Sequence, residues 1–574
     1  MSLTEEKNNG LKKEREMRIE SFLLLQLLLG YGLSSVCFLF GFSLHAWHCW
    51  VPLVLAVASA FWYSRRTGFW MIALNGLMVV LTFYTFTYVH IDASICHVPI
   101  SHFLEDGWNP IRESSIEAVR AHFAERGMPD MRDFSIYHII AAPKMVQILA
   151  AQMQSALGLF SAGGYALWFS CFALAIVACR FARTIWNASN WVSVAFAVLA
   201  ASNILLVELS LWGLVDYASY AGVAISALSL GIWMKTKSRM ELFLFFAGAV
   251  IALSTKMSSL VCVMLFLGLG GFVGRKSKDM RIAFLLFFAS LALFCIIPYW
   301  TSSWYYGSPF YPAHSFRSDV ETIDLTDDFI GNSDASSMGY LSRMVMAWIC
   351  RPLAIWGCKI WNGHEVFQPE WVEGYSLTAG GGPIFCLLLW GGVILSLFFN
   401  RNRVTLIAFT FMLAFILVPV KYIGYLRYVN FSYLMIVLFW FNVLVAVPES
   451  KRKIALFAIF SSAVGLAGYC AVCYVRQING EALRVENIKR IKELDDYRLA
   501  PEVRKGWYYS IKHRLAIEGA ALRDDGSKEM YISWPFDYAA EGLKSRKESS
   551  LLSLIKIFPG PVWAAGTNEK DGGK

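Results

Sequence analysis

Residues 22–33 read FLLLQLLLGYGL, and residues 291–300 read LALFCIIPYW. Neither stretch alternates polar with apolar residues, as a strand of a membrane barrel must. Continuous apolar runs of this kind satisfy their backbone groups in lipid only as helices. A span needs about 20 apolar residues. Working outward, comparable runs fall at 20–43, 46–63, 69–90, 162–179, 190–208, 217–234, 240–255, 258–274, 281–299, 383–399, 404–420, 428–447 and 453–475. That predicts an all-α polytopic bundle of about thirteen transmembrane helices. Composition agrees, because only 16% of the 574 residues are charged and 57% are hydrophobic. Soluble chains carry about 25% charged residues.

The basic residues give the threading a direction. Clusters occur at 12–15, at Arg65 and Arg66, at Arg180 and Arg183, and from Lys235 to Arg239. Others run from Arg275 to Arg281, at Arg401 and Arg403, and from Lys451 to Lys453. Each lies in every second loop, the positive-inside pattern with one phase. The same distribution explains the net charge of +9 without nucleic acid as a partner. The expected topology is a multi-pass protein with a cytoplasmic N-terminus. Its polar start, MSLTEEKNNGLKKEREMR, precedes an apolar run too long for a signal peptide, so the first helix is expected to stay as an anchor.

Parity then puts loops 91–161 and 300–382 outside, with a polar extracytoplasmic tail at 476–574 following the transmembrane domain of 1–475. IRESSIEAVRAHFAERG has amphipathic helical spacing and is expected on the membrane surface. YHIIAAPKMVQILAAQMQSALGLF is more apolar and is expected in the interface or dipping inward. WTSSWYYGSPFYP, at 300–312, reads as too rich in turn residues for a helix. The tail shows a helical pattern near 480–498. Most of the 12 Cys lie in apolar runs and behave as small hydrophobes. The CxxC of Cys470 and Cys473 has no second pair, and a bridge between Cys350 and Cys358 stays open.

Ionisable residues at membrane depth or at a bundle rim are costly and need a reason. Asp92 ends the third span, in TYVHIDASICHVPISHFLEDGWNP. Asp216 opens another span, in LVDYAS. Lys256 lies in the turn STKMSS, and Lys421, Arg427 and Tyr428 lie in KYIGYLRYV. All map to the outer face, which points to a site there. Bland alternatives stand beside this reading. Asp92 and Asp216 suit helix caps. Lys256 and Arg427 suit snorkelling to headgroups. His97 and His102 suit hydrogen-bonding roles, lacking metal-ligand spacing. Glu105 and Asp106 suit a solvated helix end.

Asp92-Ala93-Ser94-Ile95-Cys96-His97-Val98-Pro99 resembles the D-A-x-x-Y-H-x-P signature in the first outer loop of bacterial GT-C superfamily glycosyltransferases. LEDGWNP resembles the next stretch of that loop in the family. WYYGSPFYP (304–312) resembles the family's Y-G-N-P-F-Y-P segment, and LVDYAS, STKMSS, GGGPIF (380–385) and LRYVNF (426–431) match further landmarks in order. Cys96 stands where the family has Tyr, and Ser308 where it has Asn. The architectural likeness covers residues 20–447.

The resemblance implies a GT-C-like fold in a bacterial inner membrane and a polyprenyl-phosphate-linked sugar as donor. It implies transfer to a hydroxyl or amine of an extracytoplasmic glycan, lipid or protein acceptor. Asp92 would take the acceptor's proton, helped by His97. Lys256 and Arg427, with Lys421 and Tyr428, would hold the leaving phosphate. Asp216, Glu105, Asp106, Tyr306 and Tyr311 would contact substrate. The resemblance makes no cofactor certain, and a divalent metal stays an open possibility. A transporter or flippase of lipid-linked sugars, or a non-catalytic glycan-assembly protein, is the competing expectation.

Overall fold

The computed structural model describes residues 18–84, 97–125, 139–140, 142–158, 163–203, 215–294, 296–309, 391–395, 403–417 and 431–446. It also describes positions 461, 464–465 and 468 and two three-residue strands. The expected sites Asp92, Tyr311, Lys421, Arg427 and Tyr428 lie outside the described residues, as do both Cys350 and Cys358.

Apolar runs become helices close to where they are expected. α1 is Ile19–Leu39, α2 Trp47–Tyr63 and α3 Arg65–Tyr84. α4 (Val98–Glu105), α5 (Ile116–Glu125) and α6 (Met145–Leu157) occupy the first long loop. α7 is Gly163–Trp186, α8 Asn190–Ala201, α9 Asp216–Thr236 and α10 Arg239–Thr255. α11 (Leu260–Gly274), α12 (Lys278–Phe294), α13 (Thr301–Tyr306), α14 (Arg403–Leu417) and α15 (Ser432–Ala446) follow. Ile19–Leu39, Gly164–Trp186, Asp216–Thr236 and Met257–Gly274 are long and apolar enough to cross a membrane. The molecule is a membrane-embedded helical bundle. β1 (Tyr497–Leu499) and β2 (Lys528–Met530) pair in parallel in the tail. The helical pattern read at 480–498 therefore does not extend through Tyr497, where Tyr-Arg-Leu alternates as a strand does.

Contacts sort the helix ends into two rims. At one rim Arg180, near the end of α7, pairs with Glu20 at the start of α1 and with Glu241 at the start of α10. There too Arg239 meets Asp279 at 3.1 Å. This is the basic rim. At the other, the site rim, Asn109 Nδ2 donates to the Phe38 carbonyl at the end of α1 (2.8 Å). Ser254 Oγ donates to the Phe294 carbonyl, joining the ends of α10 and α12 (3.1 Å). Exposed indoles ring both, Trp47, Trp50, Trp300 and Trp304 at the site rim and Trp62, Trp70 and Trp191 at the basic rim. Amphipathic rings of this kind favour the membrane–water interface.

Inside the bundle, Gln26, Asn75 and Tyr165 form a closed neutral triad across α1, α3 and α7, with bonds of 2.8–3.2 Å. Each polar group in lipid needs a partner, and here each finds one on another helix.

The segment 300–309 corrects one sequence expectation. Thr301–Tyr306 is helical, because Thr-Ser-Ser-Trp-Tyr-Tyr contains no breaker. The helix stops at Gly307, whose left-handed φ of 71° a side chain would resist.

Candidate functional site

The site rim is built around the α9–α10 hairpin. Its two helices cross at Gly222 and Gly248. A Cβ on Gly222 would lie 2.7 Å from the Ala252 nitrogen, and one on Gly248 would lie 2.6 Å from the Gly222 carbonyl oxygen. Only hydrogen fits between these backbones, so glycine lets the helices approach closely. The crossing brings the first residue of α9, Asp216, against the residue that ends α10, Lys256. Their carboxylate and ammonium form an ion pair. Asp216 is fully buried, and the Lys256 side chain is 13% exposed.

Local structure favours both charges. Asp216 sits in the first turn of α9 and Lys256 just beyond the last turn of α10, each where the helix dipole stabilises its sign. Lys256 leaves the helix in extended backbone (φ −152°, ψ 130°), which swings the chain into the short 3₁₀ turn Met257–Ser259. Ser259 then hydrogen-bonds Ser219, one turn below Asp216. Breaking such a buried pair by removing one partner costs about 3–5 kcal/mol.

A second polar network joins α4 to α6. His97 Nδ1 and Gln147 Nε2 are 2.6 Å apart, and His102 Nδ1 and Gln154 Nε2 are 2.8 Å apart. Gln154 also donates to Glu105. Gln147 and Gln154, seven residues apart, share one face of α6. Gln152 looks the other way, donating to the Gly30 carbonyl (2.9 Å) and to Ser34 (2.7 Å) on α1. Three buried amides in an apolar helix are tolerable only with partners. They hold α6 inside the bundle, packed against α1, α2, α7 and α10, so the stretch dips inward. Asp106 ends α4 and is exposed.

The two long loops are clamped together. Tyr305 donates to the Arg112 carbonyl (2.5 Å) and Tyr306 to the Ser114 carbonyl (2.7 Å). Burial raises the Tyr305 pKa above its ordinary value, with smaller opposing and reinforcing contributions from Ser114 and Glu113. Tyr306, expected to touch substrate, is buried and its hydroxyl braces the loop. Lys144 is fully buried, donating to the carbonyls of Ile140 (2.8 Å) and Ala142 (2.9 Å). Its ammonium lies 5.9 Å from the centre of the Trp108 ring. Burial pushes its pKa down to about 7.

Of the expected residues, the structure brings Asp216 and Lys256 into contact. His97 and Glu105 belong to the α6 network, and Tyr306 to the clamp. Among the described residues, no group of three His, Cys, Asp or Glu side chains is placed to hold a metal ion.

Sequence reasoning missed the buried charges at the basic rim. Arg180 bridges Glu20 and Glu241, and Arg18 adds a bond to Glu241 at 3.3 Å. Buried ionic contacts therefore stand at the basic rim as well as at the site rim. Acidic residues at helix starts look like ordinary dipole partners, which hid this cluster. The signal for the α6 network was the Gln residues at 147, 152 and 154 in an apolar run. No protein-family model, curated protein or solved structure matches the chain.

Proposed function

We propose that this chain is an inverting GT-C-type glycosyltransferase of about thirteen spans. It moves a sugar from a polyprenyl-phosphate carrier to an extracytoplasmic glycan, lipid or protein acceptor in a bacterial inner membrane. The site rim then faces outward and the basic rim the cytoplasm. The observation that carries the proposal is the buried Asp216–Lys256 pair, a cation fixed at the mouth of an apolar bundle.

In this reading Asp92 accepts the acceptor's proton as its oxygen or nitrogen attacks the anomeric carbon. The bond from that carbon to the carrier phosphate breaks, and one displacement inverts the centre. Charge growing on the departing phosphate is met by Lys256, held in place by Asp216, and by Arg427. Preorganised charge in a dry site stabilises such a transition state strongly. The α4–α6 network and the Tyr305–Tyr306 clamp give the acceptor side a rigid wall. The polar triad within the bundle is neutral and mutually bonded, which favours an enzyme over an ion-coupled transporter.

The test is incubation of the purified chain in lipid nanodiscs with a panel of prenyl-phosphate sugars, reading free prenyl phosphate. Release with at least one donor is expected. Asp92→Asn abolishes it while leaving the fold intact, and Lys256→Ala weakens donor use more than acceptor use. Wild-type transfer by Asp92→Asn removes that residue from the role. Unchanged donor kinetics in Lys256→Ala reduce its ammonium to a headgroup anchor.

A further inference from the structure

We propose that a groove between α1, α10 and α12 is a binding site for one membrane phospholipid whose head carries both a phosphate and a primary amine. The groove encloses about 760 Å³ and is walled by apolar side chains, among them Leu28, Leu33, Phe243, Phe246 and Leu286. Along α12 it runs from Asp279 to Phe294, about 22 Å at 1.5 Å per residue. That exceeds the roughly 15 Å of one hydrocarbon leaflet and falls short of the full 30 Å core. One acyl chain reaching down from a head at the basic rim fits this span.

The charge is confined to one end. Arg239 and Asp279 stand at the basic rim, 83% and 36% exposed. The guanidinium places both Nε and Nη2 on a single oxygen, Oδ1, each at 3.1 Å. Among the described contacts Oδ2 and Nη1 are left over. Together they present one acceptor with negative charge and one donor with positive charge. A zwitterionic head complements both, its phosphate on Arg239 and its ammonium on Asp279. A phosphate head without an amine meets the Asp279 carboxylate as a like charge, which selects against it.

The opposite end is shut. Phe294 lies so close to α1 that a Cβ on Gly32 would come within 3.0 Å of its ring. It stacks on Tyr31 with ring centres 6.1 Å apart. The Tyr31 hydroxyl donates to the Ile297 carbonyl at 3.0 Å, and Ser254 donates to the Phe294 carbonyl at 3.1 Å. Among the described residues lining the groove, the charged ones therefore stand at the Arg239 end, which distinguishes this groove from one serving a carrier presented at the site rim.

Native mass spectrometry of the delipidated full chain tests this, with separate titrations of phosphatidylethanolamine, phosphatidylglycerol and a polyprenyl phosphate. One phosphatidylethanolamine is expected to bind about tenfold more tightly than phosphatidylglycerol. Asp279→Asn, at an exposed position, should erase that preference by improving phosphatidylglycerol binding. Ala283→Phe, which fills the groove, should reduce binding of both. Equal binding of the two phospholipids by the native chain overturns the proposal. So does displacement of phosphatidylethanolamine by the polyprenyl phosphate, or an Asp279→Asn variant that keeps the native preference.

Discussion

Gly248→Ala adds one methyl group, and the structure fixes where it goes. The new carbon would sit 2.6 Å from the Gly222 carbonyl oxygen and 2.7 Å from the Ser226 nitrogen. Both obstacles are backbone, so no side chain can swing aside. Ordinary contact begins near 3.4 Å, and α9 and α10 must separate by about 0.8 Å, a gap that forfeits a quarter to a half of each dispersion contact it opens. Overpacking of this kind costs about 1–3 kcal/mol. The same separation loosens the Ser219–Ser259 bond and the Asp216–Lys256 pair at the top of the hairpin, so a total of about 2–4 kcal/mol is expected. Gly268→Ala is the control, since a Cβ there meets nothing within 4 Å. Relative to glycine, that change should be neutral or stabilising by up to about 1 kcal/mol. Thermal unfolding of the purified variants in one detergent separates the two. Gly222→Ala and the double variant should be far from additive, because both methyl groups strain one crossing. Indistinguishable melting of Gly248→Ala and Gly268→Ala would refute the close crossing and, with it, the account of how Asp216 reaches Lys256.

The other predictions address the remaining polar networks. Arg180→Gln leaves the buried carboxylates of Glu20 and Glu241 short of their shared cation, with an expected loss of about 3–5 kcal/mol; further exchange of both glutamates for Gln should restore much of the melting temperature, and no restoration means the charges were not the cause. Lys144, with a folded pKa of about 7 against 10.5 in the open chain, binds fewer protons folded than unfolded between those values. Stability must therefore rise with pH across that window, by about 2 kcal/mol from pH 7 to 9. Melting curves at the two pH values check this, and Lys144→Met should flatten the slope; a native chain without the slope contradicts the assignment. Tyr306→Phe removes the hydroxyl that holds Ser114 and should cost about 1 kcal/mol, with faster hydrogen exchange in residues 111–125 as the local readout.

Helix positions were legible because a bilayer writes them into the chain. Ile19–Leu39, Trp47–Tyr63, Asp216–Thr236 and Arg239–Thr255 lie within a few residues of the apolar runs, since lipid burial needs only local sequence. The same reading put Asp216 and Lys256 at one rim, because both sit at span ends and the alternating basic clusters fix which ends share a face. Their contact was not readable. It depends on Gly222 facing Gly248, and any small residue in an apolar run gives the same one-dimensional pattern. The α6 amides and the Glu20–Arg180–Glu241 cluster were hidden for the same reason. Periodicity tells a residue which face it occupies, but its partner sits 50 to 160 positions away. Hydropathy depends on the solvent around a helix, whereas the pairing of buried charges and amides depends on which faces pack, and only close packing in three dimensions fixes that.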